Sequence, residues 1–508
     1  MKKYPKYFLL FLALALFLTR CSNDDNIVPE VAPETGDPET EEPAETAADY
    51  PVKDFMWQAM NFWYFWQQDV PNLADDKFDG IQDPDYIAFL ASEDNPADFF
   101  DNQLRYVGDR FSFYSEDYVE LTQSLAGISR SNGLEFGLVQ FSNSEQIFGY
   151  VRYIVPNSDA STKDIARGDA FTGVDGQTLT VNNYIDLLFG ENATYTLNMA
   201  DVTETTITDN GKEVALTKIP NFAENPILLD TILEVGSSKI GYLMYNAFLN
   251  EYDEDLNAAF GRFKDGGVTD LVLDLRYNPG GSVNSARLLS SMVYTTDTTE
   301  LFIKQRWNSK IQSLLGENQL VDNFANTTQA GTPINTLNLS QVYILTTNSS
   351  ASASELVING LAPYVDVVQI GETTTGKNEF SLTFVDDPES PNGPWVYDPA
   401  REDEINPNNL WAIQPLVGRN ENADGFFDYT EGLAPDIVLE EDMDNLGVLG
   451  DPNEPLLARA IQEITGMMTA KAYFAVQMPA NAFTGSQMFT PIKDNMYLDK
   501  PLDIKLSY

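Results

Sequence analysis

The chain has 508 residues, too many for one hydrophobic core, and 77 acidic against 30 basic residues give it a formal charge of −47. A surface that acidic repels nucleic acid and anionic membrane faces, which excludes a nucleic-acid partner. There is no histidine and one cysteine, Cys21, so Ser-His-Asp and Cys-His hydrolysis, histidine-bearing zinc sites and disulfides in the mature chain are excluded. An enzyme built from this sequence must work with Ser, Thr, Lys, Tyr and carboxylates. No Asp-rich calcium loop pattern is present, and neither metal nor cofactor is expected.

Lys2, Lys3 and Lys6 precede an apolar run over residues 8–18, the pattern of a secretory signal and too short for a membrane span. Cys21 follows Leu18-Thr19-Arg20, which resembles the lipobox of bacterial lipoproteins, although Arg20 stands where a small residue is usual. Residues 1–21 are therefore expected to be a lipoprotein signal peptide with Cys21 as the lipidated residue. The alternative is a plain signal with an incidental cysteine. Ser22-Asn23-Asp24-Asp25 resembles the acidic export tags of lipoproteins displayed by some Gram-negative bacteria. The expectation is an exported chain, lipid-anchored to the outer membrane and exposed at the cell surface, with no other membrane contact. Residues 22–49, rich in Pro, Glu, Thr, Ala and Asp, read as a disordered acidic tether.

Residues 50–125 read as an N-terminal helical domain. Trp57, Met60 and Tyr64 follow steps of three and four, as do Phe62 and Trp66, which fits a broad buried helix face. A sugar- or peptide-binding aromatic platform is the competing reading. Residues 126–215 are β-rich, with runs over 146–155 and 194–199 separated by turn residues. Gly133-Leu134-Glu135-Phe136-Gly137-Leu138 precedes those runs, and Arg167-Gly168-Asp169 and Val174-Asp175-Gly176 come later. This order resembles a PDZ domain, in which a glycine-bracketed loop caps a peptide's terminal carboxylate and the peptide joins a sheet edge. The resemblance makes Gly133, Leu134, Phe136 and Gly137 the peptide-binding loop.

Residues 225–440 alternate strands and helices. Strands are expected at 239–244, 270–275, 341–346 and 365–370, and helices at 253–264, 282–294 and 354–363, an α/β layer arrangement. Residues 385–410, rich in Pro, Asp and Asn, read as a surface insertion. Residues 441–508 form a C-terminal extension with one expected helix at 454–465.

Three segments of the α/β region carry chemistry. Leu275-Arg276-Tyr277-Asn278-Pro279-Gly280-Gly281 runs from a strand into a glycine turn and a helix. Paired glycines there let backbone N–H groups point outward, as an oxyanion site requires. Ser349-Ser350-Ala351-Ser352-Ala353-Ser354-Glu355 again lies between a buried strand and a helix, a place that exposes a serine beside helix N–H groups. Gly371-Glu372-Thr373-Thr374-Thr375-Gly376-Lys377 follows a third strand and sets a lysine on a loop. Asp274 and Arg276 read as structural, and Glu355 as a first-turn helix acid.

Together these segments resemble the C-terminal processing peptidase family, PDZ-containing Ser/Lys serine proteases of the tail-specific type. The step from Ser352 to Lys377 is 25 residues, the step that family keeps, and Gly432-Leu433-Ala434-Pro435-Asp436 resembles its late strand. The resemblance implies a multidomain α/β chain: a crotonase-like serine protease domain over 225–440, preceded by the PDZ-like domain and the helical segment. It implies Ser352 as nucleophile, Lys377 as base, and the N–H groups of Gly281 and Ala353 as the oxyanion hole. The family often places Gly after the lysine and an orienting Gln four residues on; this chain has Asn378 and Ser381, which leaves Ser381 as the candidate lysine-orienting residue. The implied activity is serine endopeptidase cleavage of protein or peptide substrates, recruited through their C-termini. A lysine base needs a value near ~7–8 rather than ~10.4, reached by burial away from carboxylates. A catalytically silent binding protein and a glycan-binding surface lipoprotein are the rival readings.

Overall fold

A computed structural model describes residues 45–202, 206–443, 445–467, 480–490 and 493–499. The signal segment with Cys21 and most of the 22–49 tether lie outside the described residues. Among the described residues no helix is long and apolar enough to cross a membrane.

Helix α1 (Pro51–Trp63) opens on a proline in its first turn and buries Phe55, Met56, Ala59, Met60 and Trp63, one stripe at helical spacing. Trp63 lies against Trp307 and Phe384, with ring centroids 6.3 and 5.5 Å away, and its Nε1 donates to Pro394 O at 2.9 Å. Full burial of Trp63 and Tyr64 contributes about 1.5–3 kcal/mol each. This packing takes Trp63 and Tyr64 into the core and leaves Trp57, Phe62 and Trp66 half-buried against it, which counts against an open sugar platform. It also corrects the expectation for 385–410. That segment is no simple surface insertion, because it buries Val385, Val396 and Ile405 and receives the Trp63 indole.

The β-rich region contains β1 (Leu134–Phe141), β2 (Ile147–Ile154), β3 (Ala170–Val174), β4 (Thr194–Val202) and β5 (Ile207–Thr217). They form an antiparallel sheet in the order β1-β2-β3-β4-β5. Leu134, Phe136 and Leu138 of β1 point into its core, the period-2 pattern of a half-buried strand. Gly133 stays in a turn, at φ +76, whereas Leu134, Phe136 and Gly137, read as loop residues, belong to β1. The alternation outweighs the bracketing glycines.

The α/β region follows as β6 (Ile227–Val235), β7 (Ser238–Tyr245), α2 (Asp253–Gly266), β8 (Asp270–Asp274), β9 (Gly281–Ser282) and α3 (Val283–Val293). Then come β10 (Leu301–Trp307), β11 (Val321–Asn323), β12 (Gln341–Thr346), α4 (Ala353–Leu361), β13 (Asp366–Gly371) and β14 (Glu379–Ser381). The last are β15 (Leu416–Glu421), β16 (Ile437–Val438), α5 (Pro455–Thr465), β17 (Ala480–Gly485) and β18 (Met496–Tyr497). A central sheet runs β6-β7-β8-β12-β13-β16, parallel from β7 onward. Its strands are continuous apolar runs such as Leu271-Val272-Leu273, all fully buried, as two covered faces require. Because β8, β12 and β13 are parallel neighbours, their carboxyl ends share one edge, where ligands bind in open α/β sheets. A second sheet runs β9-β18-β14-β15-β10-β11.

The extension beyond α5, unassigned from sequence, joins two sheets. β17 pairs antiparallel with the free edge of β1, and β18 lies between β9 and β14.

Candidate active site

The three turns meet at the shared edge of the central sheet. Asn278 ties the first to the second: its carbonyl accepts from Ala351 N at 3.1 Å and Ser354 Oγ at 2.9 Å, and its Nδ2 donates to Tyr245 O at 2.8 Å. Gly281 holds φ +131, and a Cβ there would stand 2.2 Å from Phe248 O, so only glycine fits. Gly280 packs as tightly: its Cβ would lie 2.7 Å from Ser352 Cβ and 3.0 Å from Ser352 Oγ.

Ser352 is the N-cap of α4 and sits at φ +64, ψ −111. A non-glycine residue there is strained by about 1–3 kcal/mol, a recurring feature of nucleophile turns. Its Oγ is buried and has no hydrogen-bond partner among the described residues. Ala353 opens the helix with its side chain buried.

Lys377 is 1% exposed. Burial lowers its ammonium to about 8, against the longer-range pull of Asp494, Glu379, Asp109 and Glu355. Among the described residues no carboxylate lies within 4 Å of Nζ. Nζ instead donates to Asn495 Oδ1 at 3.4 Å and stands 5.1 Å from the Phe111 ring centroid. It is not hydrogen-bonded to Ser352 Oγ.

Glu355 joins the nucleophile turn to the lysine loop. Its Oε2 accepts from Ser352 N at 2.7 Å and Lys377 N at 2.9 Å. Its Oε1 accepts from Gly376 N at 2.7 Å and Thr374 Oγ1 at 2.5 Å. Burial pushes this carboxyl up to about 7, while the four donors favour its charged form.

Ser381 reaches the lysine only indirectly. Its Oγ is within hydrogen-bond distance of Gln414 Oε1 (2.6 Å) and Asn495 Oδ1 (3.0 Å), the oxygen that Nζ also meets. Gln414 further accepts from Asn495 Nδ2 at 3.1 Å. Sequence reasoning missed Gln414, Asn495 and Phe111, which come from distant segments without a local pattern; Glu355 carried a visible signal as the first-turn acid. Of the four residues assigned to peptide binding, Leu134, Phe136 and Gly137 lie in β1 and Gly133 just before it, on a different sheet from the strands that carry the three turns.

The arrangement brings Ser352, Ala353, Gly281 and Lys377 to one buried place. It can support acyl transfer through a serine oxygen with a lysine base and backbone oxyanion donors.

Comparison with known proteins finds similarity to peptidases. The model of Peptidase family S41 matches residues 239–389, which hold all four of those residues. The Peptidase S41 N-terminal domain matches residues 51–113, which hold Phe111. A carboxyl-terminal-processing protease of Picosynechococcus sp. (strain ATCC 27264 / PCC 7002 / PR-6) is 23% identical over 272 residues, 53% of this chain and 59% of the relative. The match therefore spans less than two thirds of that relative. A crystal structure of a candidate S41 protease from Bacteroides fragilis NCTC 9343 superposes with TM-score 0.62 at 26% identity, covering 81% of this chain and 97% of that one.

Proposed function

We propose that this chain, which belongs to peptidase family S41, is a serine endopeptidase that cuts polypeptides with Ser352 as nucleophile and Lys377 as general base. One observation carries the reading: a lysine buried without an ion pair and a buried, unbonded serine hydroxyl on a strained turn are tied together through Glu355, which accepts from the backbone N–H of both. A lysine serving only the fold would be paired or would reach solvent.

Neutral Nζ of Lys377 takes the proton of Ser352 Oγ, which attacks the substrate carbonyl. The N–H groups of Gly281 and Ala353 hold the oxyanion. The ammonium then protonates the leaving amine, and water releases the acyl group by the same steps in reverse. Glu355 holds both turns in register for this exchange. The central sheet and its helices support a crotonase-like catalytic domain. The sheet β1–β5, with Leu134, Phe136 and Gly137 in β1 and Gly133 just before it, supports a PDZ-like module that recruits substrate tails. Cys21 supports lipid anchoring at the outer membrane.

The base must be neutral, so kcat/KM for an unfolded protein such as casein should rise with pH and reach half its plateau near pH 8, the value to which burial lowers Lys377. Lys377→Arg should show no such rise and no comparable rate. A rate that is flat from pH 6 to 9, or that falls with pH, would contradict a lysine base.

A further inference from the structure

The catalytic centre and the edge of β1 are occupied by the same stretch of this chain. Asn495 O accepts from Gly281 N at 2.7 Å, so a peptide carbonyl already sits on a proposed oxyanion donor. The side chain of Asn495 takes the lysine, and a Cβ on Gly280 would lie 2.5 Å from Asn495 O and 3.0 Å from Ser352 Oγ. One residue thus engages the oxyanion turn and the base. Beyond it, β18 fills the slot between β9, which holds Gly281, and β14, which follows Lys377. A slot bounded by oxyanion turn and base is the path a substrate backbone must take.

Upstream, β17 pairs antiparallel with β1, from Ala480 opposite Phe141 to Gly485 opposite Gly137. Ser486 Oγ accepts from Phe136 N at 3.0 Å. Phe489 stacks on Phe189 with centroids 3.9 Å apart, and Phe483 meets Tyr184 edge-on at 5.3 Å. This is strand addition to a sheet edge with aromatic side chains seated beside it. A cavity of about 670 Å³ extends from Phe136 and Phe489 to Pro279 of the oxyanion turn, so the two places are connected.

We infer that residues 480–490 and 493–499 are a built-in peptide ligand of this enzyme, seated along the substrate's own path, and that catalysis requires an incoming unfolded polypeptide to displace them. The displacing ligand is an extended chain that pairs with β1 and offers an aromatic side chain to Phe189. The ligand held in cis competes at high effective concentration, so folded proteins and short peptides without that aromatic gain no access. The inference rests on the proposed peptidase activity.

The test is a reversible lock in the full chain. Gln140 and Asn481 are opposite in the β1–β17 register, a spacing that a disulfide can bridge, and Gln140→Cys/Asn481→Cys would fasten the segment in place. With the cross-link verified by mass spectrometry, casein cleavage should be at least about tenfold slower in the oxidised form and return on reduction. In the same variant carrying Ser352→Ala, saturating unfolded casein should raise hydrogen exchange of amides 480–485 in the reduced form only. Equal cleavage in the two forms, or amides 480–485 that stay protected under saturating casein, would overturn the inference. If no form cleaves but the exchange responds as expected, the segment is a displaceable ligand and it is the peptidase reading that fails.

Discussion

Ser352→Ala and Lys377→Ala are each expected to slow cleavage of an unfolded protein by roughly 10⁴-fold or more, because nucleophile and base act as one unit. Loss of rate alone would not separate a base from a structural lysine, but stability does. Lys377 is 1% exposed, and burial lowers its ammonium to about 8. A lysine whose folded value lies below its unfolded value costs the folded state stability below about pH 8. That cost fades as pH rises from about 8 to ~10.4. Lys377→Met keeps the stem and removes the charge. It should therefore abolish activity while gaining stability at pH 7, by something on the order of 1–3 kcal/mol in urea unfolding. A lysine that held the fold together would give the opposite sign.

The largest loss of stability is expected at Arg276. Its guanidinium is fully buried and lies 2.8 Å from Asp274, 2.7 Å from Glu454 and 3.0 Å from Glu441. Arg167 reaches Glu441 at 2.6 Å, and Tyr277 Oη donates to Glu441 at 2.6 Å. Burial works to raise the Glu441 carboxyl, yet Arg167 and Arg276 hold it at about 2. The cluster ties the end of β8 to the N-cap of α5, where Glu454 Oε2 accepts from Leu457 N at 2.8 Å. Arg276→Ala strands Asp274 and Glu454 as buried carboxylates. Breaking a buried pair in this way costs about 3–5 kcal/mol. Thermal unfolding at pH 7.5 measures the loss.

What the sequence made legible was what repeats locally. The runs Asp270–Asp274, Gln341–Thr346 and Asp366–Gly371 are apolar strands bounded by turns, and their order with three helices specifies a parallel sheet. Each chemistry-bearing turn follows one of those strands, so Ser352, Lys377 and Gly281 stand out together before any coordinates. The rest depends on distant meetings. Asn495 and Gln414 lie 118 and 37 residues beyond Lys377, and nothing in their neighbourhoods marks them. β17 and β18 are short and carry no alternation, since they are completed by partners on β1, β9 and β14 rather than by their own pattern. At Leu134–Phe141 two signals competed. The bracketing glycines suggested a loop, while Leu134, Phe136 and Leu138 alternated as a strand, and burial of that face decided the outcome. Helical spacing marked Met60 and Tyr64, which are buried, but did not mark Trp63, whose partner Phe384 is 321 residues away.

The central claim is that Ser352 is a nucleophile made reactive by Lys377. Its most direct test is to treat the full chain with a fluorophosphonate, digest it, and locate the adduct by mass spectrometry. The account predicts one modified residue, Ser352, labelled at a rate that climbs with pH to a half-point near 8, with no labelling in Lys377→Ala. An adduct on another serine, no adduct at all, or equal labelling of Ser352 without Lys377 would contradict it.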